Sequence, residues 1–518
     1  MYYRIILFLA VFTAITAFIY AAFPRKKRRL VLLASSLIFY SIFSGFAAVF
    51  LLATILTTYI AAIIIDKVPE KFSTEGLSRD ERKAVRAKIK SKKRIILIIY
   101  LIINIGFLAV LKYYNYFSST VCSALGYFGV TASVSVINLI MPLGISYYTL
   151  QATGYVIDVL RGKYPADKSL INIALFIGYF PQLNEGPFGR YDLLMHQMTS
   201  GDDIKKDNIF AGIAQILCGA FKIFIISNRA AIISTNVFSN YSDFSGFSIV
   251  LGILAFTLQL YADFSGYIDI ATGISKIFGI ELAKNFDMPF LAENVSDFWR
   301  RWHISLGAWF RDYIFYPLST SKFLSKAVKK LKPATADFVT ITVSLFAVWF
   351  LTGLWHGASS KYIAYGLYYF VLMIAFNLLS PLSEKLIVKL KTNSDNKIIK
   401  TIRIIKTFIL VQIGMLIFRA DDLTVCMKMF RSIFISNEAA VSQIIAIDSP
   451  DLIVLLISIL ILVLSAVLKF NGIEIKERFN KLSSFKKYWI CFSIACVTII
   501  FGAYGLGYLP PDPIYGGF

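Results

Sequence analysis

"RIILIIYLIINIGFLAVL", Arg94–Leu111, is an almost wholly apolar run, and the stretch leading into it is "ERKAVRAKIKSKKR", Glu81–Arg94. A helix of about 20 apolar residues crosses the hydrocarbon core of a bilayer, so the run reads as a span. The basic cluster at its start marks the cytoplasmic end by the positive-inside rule. The same pairing recurs along the chain. "IILFLAVFTAITAFIYAAF" (5–23) runs into "PRKKRR" (24–29), "LIVLLISILILVLSAVL" (452–468) runs into a basic loop ending at Lys487, and "YWICFSIACVTIIFGAYGLGY" (488–508) follows that loop. The fold class that follows is all-α and polytopic, a multi-pass protein of a cell membrane.

Composition agrees. The chain of 518 residues is 57% hydrophobic and 15% aromatic, with 16% charged residues and a mean hydropathy of +0.67, well outside soluble usage. Its 53 Lys and Arg against 31 Asp and Glu give a net charge of +22. In a soluble protein that excess points to nucleic acid; here the cations sit in short loops between apolar runs, so nucleic acid is excluded as a partner. The first apolar run ends in a stop-transfer cluster, not a cleavage site, and reads as a retained helix. Five cysteines with no CxxC pair indicate neither a zinc site nor a disulfide framework.

The loops give a consistent topology at both ends: N-terminus outside, 24–29 inside, a turn near Ser44 outside, 66–94 inside, and the C-terminal "PPDPIYGGF" outside. The middle breaks the parity. Between Arg161 and Lys322, both cytoplasmic by charge, lie three apolar stretches (169–183, 207–235 and 246–282), so one must be re-entrant or the third must cross twice. "MPLGISYYTLQATG" (141–154) and "FPQLNEGPFGR" (180–190) hold the Pro and Gly residues that break helices, as loops or as irregular backbone at membrane depth. No internal repeat is visible, which counts against a transporter built from inverted repeats.

Three features bear on chemistry. In "FWRRWHISLGAWFRDYIFYPL" (298–318), helical spacing predicts one aromatic stripe of Trp299, Trp302, Leu306, Trp309, Tyr313 and Tyr316. Arg300, His303, Gly307 and Arg311 form a neighbouring face. An interfacial anchor explains the amphipathicity; Gly307, which opens space beyond His303, and Asp312 favour a site. In "VWFLTGLWHGASS" (348–360), His356 ends an apolar helix, and an ionisable residue inside a span is a functional candidate because its placement is costly. The alternative is a histidine bonded to a neighbouring helix, with Gly353 and Gly357 allowing close approach. In "LQLYADFSGYIDIATG" (258–273), Asp263 and Asp269 face a bundle interior or a wet cavity, with the arginines of 298–318 as candidate donors. Glu185 and Arg190 invite the same structural and functional readings. His196, the third histidine, falls in a polar loop. Two histidines suit proton handling near neutral pH and supply too few ligands for a metal site.

Together "MPLGISYYTLQATGYVIDVLRGKY" (141–164), "FPQLNEGPFGR" (180–190), "YADFSGYIDIATGISKIFGIELAKNFDMPFLAENVSDFWRRWHISLGAWFRDYIFYPL" (261–318) and "LTGLWHGAS" (351–359) closely resemble the membrane-bound O-acyltransferase family. The nearest branch is the alginate O-acetyltransferase type, with the D-alanyl transfer protein of teichoic acid modification as a relative. The departures are "SSKY" after "WHGA" and the terminal "PIYGGF", which leave the substrate branch open.

The resemblance implies a single membrane domain over 1–518, with N-terminal helices in 1–112, a core in 136–360 and C-terminal helices in 361–518. It implies a ring of helices around a thin core pierced by a tunnel. His356 takes the position of the catalytic residue and His303 that of a second polar residue on the cytoplasmic side. Arg300, Arg301, Trp302 and Arg311 are the expected donor-binding group; Asp263, Asp269, Asp312 and Glu185 are expected as tunnel or structural polar residues. No tightly bound cofactor and no metal is expected, and acetyl-CoA or an acyl-carrier thioester is the donor substrate. An extracytoplasmic partner protein and a polysaccharide acceptor complete the expectation. Two other functions stay open: D-alanyl transfer from a carrier protein to teichoic acid, and a transporter or flippase without covalent chemistry.

Overall fold

Apolar runs of span length leave each backbone amide one partner in lipid, the carbonyl four residues back, so helices are the only open-chain solution. The computed structural model describes residues 2–72, 76–130, 141–389, 393, 396–435, 444, 446–504 and 508. The terminal "PPDPIYGGF" and the 136 boundary of the expected core fall outside the described residues. Among those described there is no β-strand, and nine helices are long and apolar enough to cross a bilayer. The chain is an all-helical, multi-pass membrane protein. Exposed side chains such as Ile453, Leu456, Ile457, Leu460 and Leu464 on the helix Ser449–Phe470 are what a lipid-facing surface requires.

Two compact units make up the chain, one containing Leu9–Lys205 and Ser275–Leu282, the other Lys206–Ile274 and Ala283–Gly517. In the first, the expected turn near Ser44 is a short 3-10 turn, Gly45–Ala47, between the helices Arg28–Ser44 and Ala48–Lys67. The stretch 169–183 yields only the nine-residue helix Leu170–Gly178, roughly 13 Å long and too short to cross. Residues 207–235 and 246–282 each give one span, Lys206–Ser239 and Phe247–Ile277. The odd count therefore becomes two crossings, and the third stretch does not cross twice.

"FPQLNEGPFGR" is irregular and almost wholly buried. Its backbone groups are satisfied within the protein: the Phe180 N–H donates to Ser36 Oγ (3.1 Å), the Gly189 N–H to Gln151 Oε1 (3.0 Å), and Gln182 Nε2 to the Pro187 carbonyl (2.7 Å). "MPLGISYYTLQATG" is irregular only up to Gly144; from Ile145 it is helical.

In the second unit the span from Lys206 runs as α-helix to Phe221, as a π segment Lys222–Ser227, and again as α-helix Asn228–Ser239. It crosses Phe247–Ile277 at two glycine pairs. A Cβ on Gly219 would lie 2.5 Å from the Gly266 carbonyl oxygen, and one on Gly273 would lie 2.6 Å from that of Gly212. Seven residues separate the glycines on each helix, in antiparallel register. Between them Asp269 accepts from Lys222 Nζ (2.6 Å) and Gln215 Nε2 (3.1 Å). The expected pairing of Asp269 with the arginines of 298–318 is thereby corrected: a lysine one helix away satisfies it.

Gly219→Ala is expected to lower stability by about 1–3 kcal/mol through overpacking against backbone. Gly106→Ala, whose Cβ meets nothing within 4 Å, should be neutral or slightly stabilising. Thermal melting of both variants in detergent checks the contrast.

Candidate active site

The segment 298–318 is not the single helix its periodicity predicts. Asn294 caps a short helix, Val295–Arg301, by accepting from the Asp297 N–H (2.8 Å). The helix then stops. Trp302 is extended (φ −110°, ψ 127°) and His303 is left-handed (φ 48°, ψ 49°), a costly conformation for a side chain of this size. A second helix, Ile304–Phe310, follows, then a π segment, Arg311–Phe315, and a last turn, Tyr316–Ser319.

The break has an identifiable cause. The extended stretch Asn285–Asp287 lies antiparallel to it and forms a β-bridge between Phe286 and Trp302. The Asp287 N–H donates to the Arg301 carbonyl (2.9 Å) and the Ile304 N–H to the Asn285 carbonyl (3.1 Å). The aromatic stripe is thus split, and Trp302 and His303 are buried, not placed at headgroup level. Trp302 sits among Tyr261, Phe286, Phe290 and Phe298.

Asn285, itself buried, holds His303. Its Oδ1 accepts from the Ser305 N–H (3.0 Å) and from Ser305 Oγ (2.8 Å), and lies 3.3 Å from His303 Nδ1. A backbone N–H only donates, so that Asn285 atom is an oxygen, and the imidazole nitrogen facing it carries the proton. In the neutral ring Nε2 then holds the lone pair. Burial disfavours the charged form of His303 and pushes it down from the usual imidazole range.

His356 is the last residue of the helix Pro333–His356. A Cβ on Gly353 would lie 2.5 Å from the Tyr362 carbonyl oxygen, so this glycine lets the next helix cross closely, as the spacing predicts. The ring of His356 is buried against Trp355, Phe418 and Tyr365 (centroids 5.0, 5.2 and 5.6 Å). Trp355 also meets His303 at 5.8 Å.

Both histidines line one cavity of about 420 Å³, together with Arg300, Trp302, Gly307 and Arg311. Its walls are largely apolar; the exposed part of its lining carries the two arginines. Such a space suits a small, largely apolar group beside two imidazole rings, with guanidinium cations in its exposed lining.

The remaining expected residues scatter. Arg301 is not among the lining residues and pairs with Asp297 (3.0 Å). Asp312 pairs with Arg311 (3.1 Å). Asp263 is buried on the helix Phe247–Ile277, while Glu185 is buried in the other compact unit. His196 is exposed on the helix Tyr191–Ser200, where a loop was expected. Asn285, Ser305 and Trp355 were not singled out from the sequence. Asn285 stands inside a quoted motif, yet nothing in periodicity marks it, because its role depends on a bridge to residues 16–20 positions away.

The model of the membrane-bound O-acyltransferase family matches residues 159–413. The chain is 30% identical over 438 residues to the "Probable alginate O-acetylase AlgI" of Pseudomonas syringae, covering 84% of this chain and 76% of that protein. It is 32% identical to the protein of the same name in Pseudomonas aeruginosa, over 65% of this chain and 60% of that protein, less than two thirds of its length. It is also 32% identical to the teichoic acid D-alanyltransferase of Bacillus subtilis, over 54% of this chain and 69% of that protein.

Asn285→Ala leaves the buried Ser305 N–H without its acceptor, and a stability loss of about 1–3 kcal/mol is expected. If Asn285 acts through His303, turnover of Asn285→Ala, His303→Ala and the double variant will be non-additive. Melting temperature and turnover of the three proteins check this together.

Proposed function

We propose, from the premise that this chain belongs to the membrane-bound O-acyltransferase family, that it takes an acetyl group from a cytoplasmic thioester across the membrane for O-acetylation of an exported cell-surface polysaccharide. The observation that carries the reading is the meeting of His303 and His356 on one cavity whose exposed lining includes Arg300 and Arg311.

His356 acts as general base. Its imidazole takes the hydroxyl proton as the oxygen attacks the thioester carbonyl. The tetrahedral oxyanion collapses, the carbon–sulfur bond breaks, and the departing thiolate takes the proton back from the imidazolium. The products are an ester and a free thiol. General-base assistance of this kind contributes about 10²–10⁴ in rate. Arg300 and Arg311 attract the phosphates of the donor, for which guanidinium geometry is suited. His303, neutral and fixed by Asn285, serves as a hydrogen-bond partner and not as a cation.

Acetyl-CoA is the donor in this reading, and a partner protein outside the membrane completes transfer to the polysaccharide. D-alanyl transfer from a carrier protein is the second reading, favoured by the similarity to a teichoic acid D-alanyltransferase. A transporter without covalent chemistry gives way to family membership.

The test uses the full chain in liposomes, labelled acetyl-CoA on the cytoplasmic face, and a partner and acceptor outside. Wild type is expected to label the acceptor, and His356→Ala to lose about 100-fold or more. Undiminished transfer by His356→Ala overturns the mechanism; labelling only from a charged carrier protein overturns the donor.

A further inference from the structure

The helix Ile304–Phe310 runs on into the π segment Arg311–Phe315, and along it His303, Gly307 and Arg311 recur every four residues. Residues at that spacing share one face of a helix. All three line the cavity of about 420 Å³. His303, the first, is buried at 3% exposure, whereas Gly307 and Arg311 are exposed. The face thus leads from the closed part of the cavity to its open part. A molecule that touches Arg311 while it reacts beside His303 lies across Gly307.

Nothing in the fold requires a glycine at 307. Its φ is not positive, and a Cβ there would meet only the Trp299 carbonyl oxygen, at 3.7 Å, an ordinary contact. Gly353 and Gly366 differ: a Cβ on them would lie 2.5 and 2.2 Å from backbone oxygens where two helices cross. A side chain at 307 would instead enter the cavity and narrow the space between Arg311 and the histidines.

The length of this face constrains the donor as well. Eight residues at 1.5 Å each place Arg311 about 12 Å along the axis from His303. An extended chain gains about 1.1–1.2 Å per bond, since a residue of three backbone bonds spans about 3.3–3.6 Å, so roughly ten bonds cover that distance. Arg311 shares its guanidinium with Asp312 (3.1 Å), and Arg300, exposed on the same lining, supplies a second cation for the donor's anion.

We propose that Gly307 is a specificity-determining residue that selects the donor by shape. An unbranched thioester arm of about ten bonds, anion at one end and acyl carbon at the other, passes over the bare position. A branched arm does not fit, and an acyl phosphate, whose anion adjoins the acyl carbon, does not span from Arg311 to the histidines. This inference rests on the acyl-transfer reading.

The full chain in nanodiscs is titrated with S-ethyl-coenzyme A, a thioether whose binding needs no turnover, and with adenosine 3′,5′-bisphosphate, which has phosphates and no arm. Gly307→Ala is expected to bind the thioether like wild type, and Gly307→Leu and Gly307→Phe to bind it about tenfold or more weakly. The bisphosphate should bind all four proteins alike. In transfer assays the KM for acetyl-CoA should rise with the size of the residue at 307 while the acceptor KM stays, and acetyl phosphate should not serve wild type as donor. Undiminished thioether binding by Gly307→Phe overturns the proposal, as does an equal loss of the bisphosphate or transfer from acetyl phosphate at the acetyl-CoA rate. Failure of wild type to bind the thioether is a different outcome, which removes the donor reading and this inference with it. To separate blockage from misfolding, Gly307→Cys is folded first and then capped with benzyl methanethiosulfonate. Thioether binding should fall on capping and return with reductant, with wild type given the same treatment unaffected; a capped protein that binds as before overturns the proposal.

Discussion

The antiparallel bridge between Asn285–Asp287 and Arg301–Ile304 is the constraint on which the candidate site depends. Without it, residues 295–319 would follow their amphipathic period as one helix, and the face of His303 would be a surface stripe. The bridge supplies the backbone partners that allow Trp302 to extend and His303 to turn left-handed. It is anchored in turn by Asp287, which accepts from Lys469 Nζ at 2.7 Å and pairs with Lys284 at 2.7 Å. Lys469 lies in the last turn of the span Ser449–Phe470, so the end of a transmembrane helix distant in sequence steadies the extended segment that stops the helix before His303.

His356 reaches the same cavity by a different device. It closes a long, regular helix, and the close crossing at Gly353 presses the following helix against it. Aromatic rings from three segments then fix its ring, and Trp355 contacts both histidines. One histidine is positioned by strain and a hydrogen-bonded amide, the other by packing. The two rings thus border one cavity but are held in place by different means.

What could be read from the sequence follows from how local each signal is. Spans and the helix that ends in His356 depend on runs of neighbouring residues, and the structure places helices there; the basic stretch from Arg79 to Arg94, expected as loop, is helical as well. The parity of the middle segment was legible as a contradiction but not as an answer, because the length of Leu170–Gly178 depends on where "FPQLNEGPFGR" finds partners such as Ser36 and Gln151. The helical reading of 298–318 failed for the same reason: its residues keep a helical period, and only a partner outside the window breaks it. Asn285 was invisible because an asparagine in a loop acquires meaning from the oxygen it turns toward Ser305 and His303.

The polar residues at membrane depth separate by what surrounds them. Asp269 lies between the two glycine pairs that bring Lys206–Ser239 and Phe247–Ile277 together, with Lys222 and Gln215 supplied from the opposite helix. Backbones in such contact leave no space for a ligand, and removing either charge would leave the other stranded in a low-dielectric interior. The pair therefore sets helix register. Arg229, buried and paired with Asp451 at 2.8 Å, ties its helix to the start of Ser449–Phe470 in the same way. His303 and His356 differ on this criterion, because they border open volume and not a backbone contact. Free space beside the side chain, and not the mere presence of a polar residue in an oily chain, is what sets the candidate site apart from the helix-packing pairs.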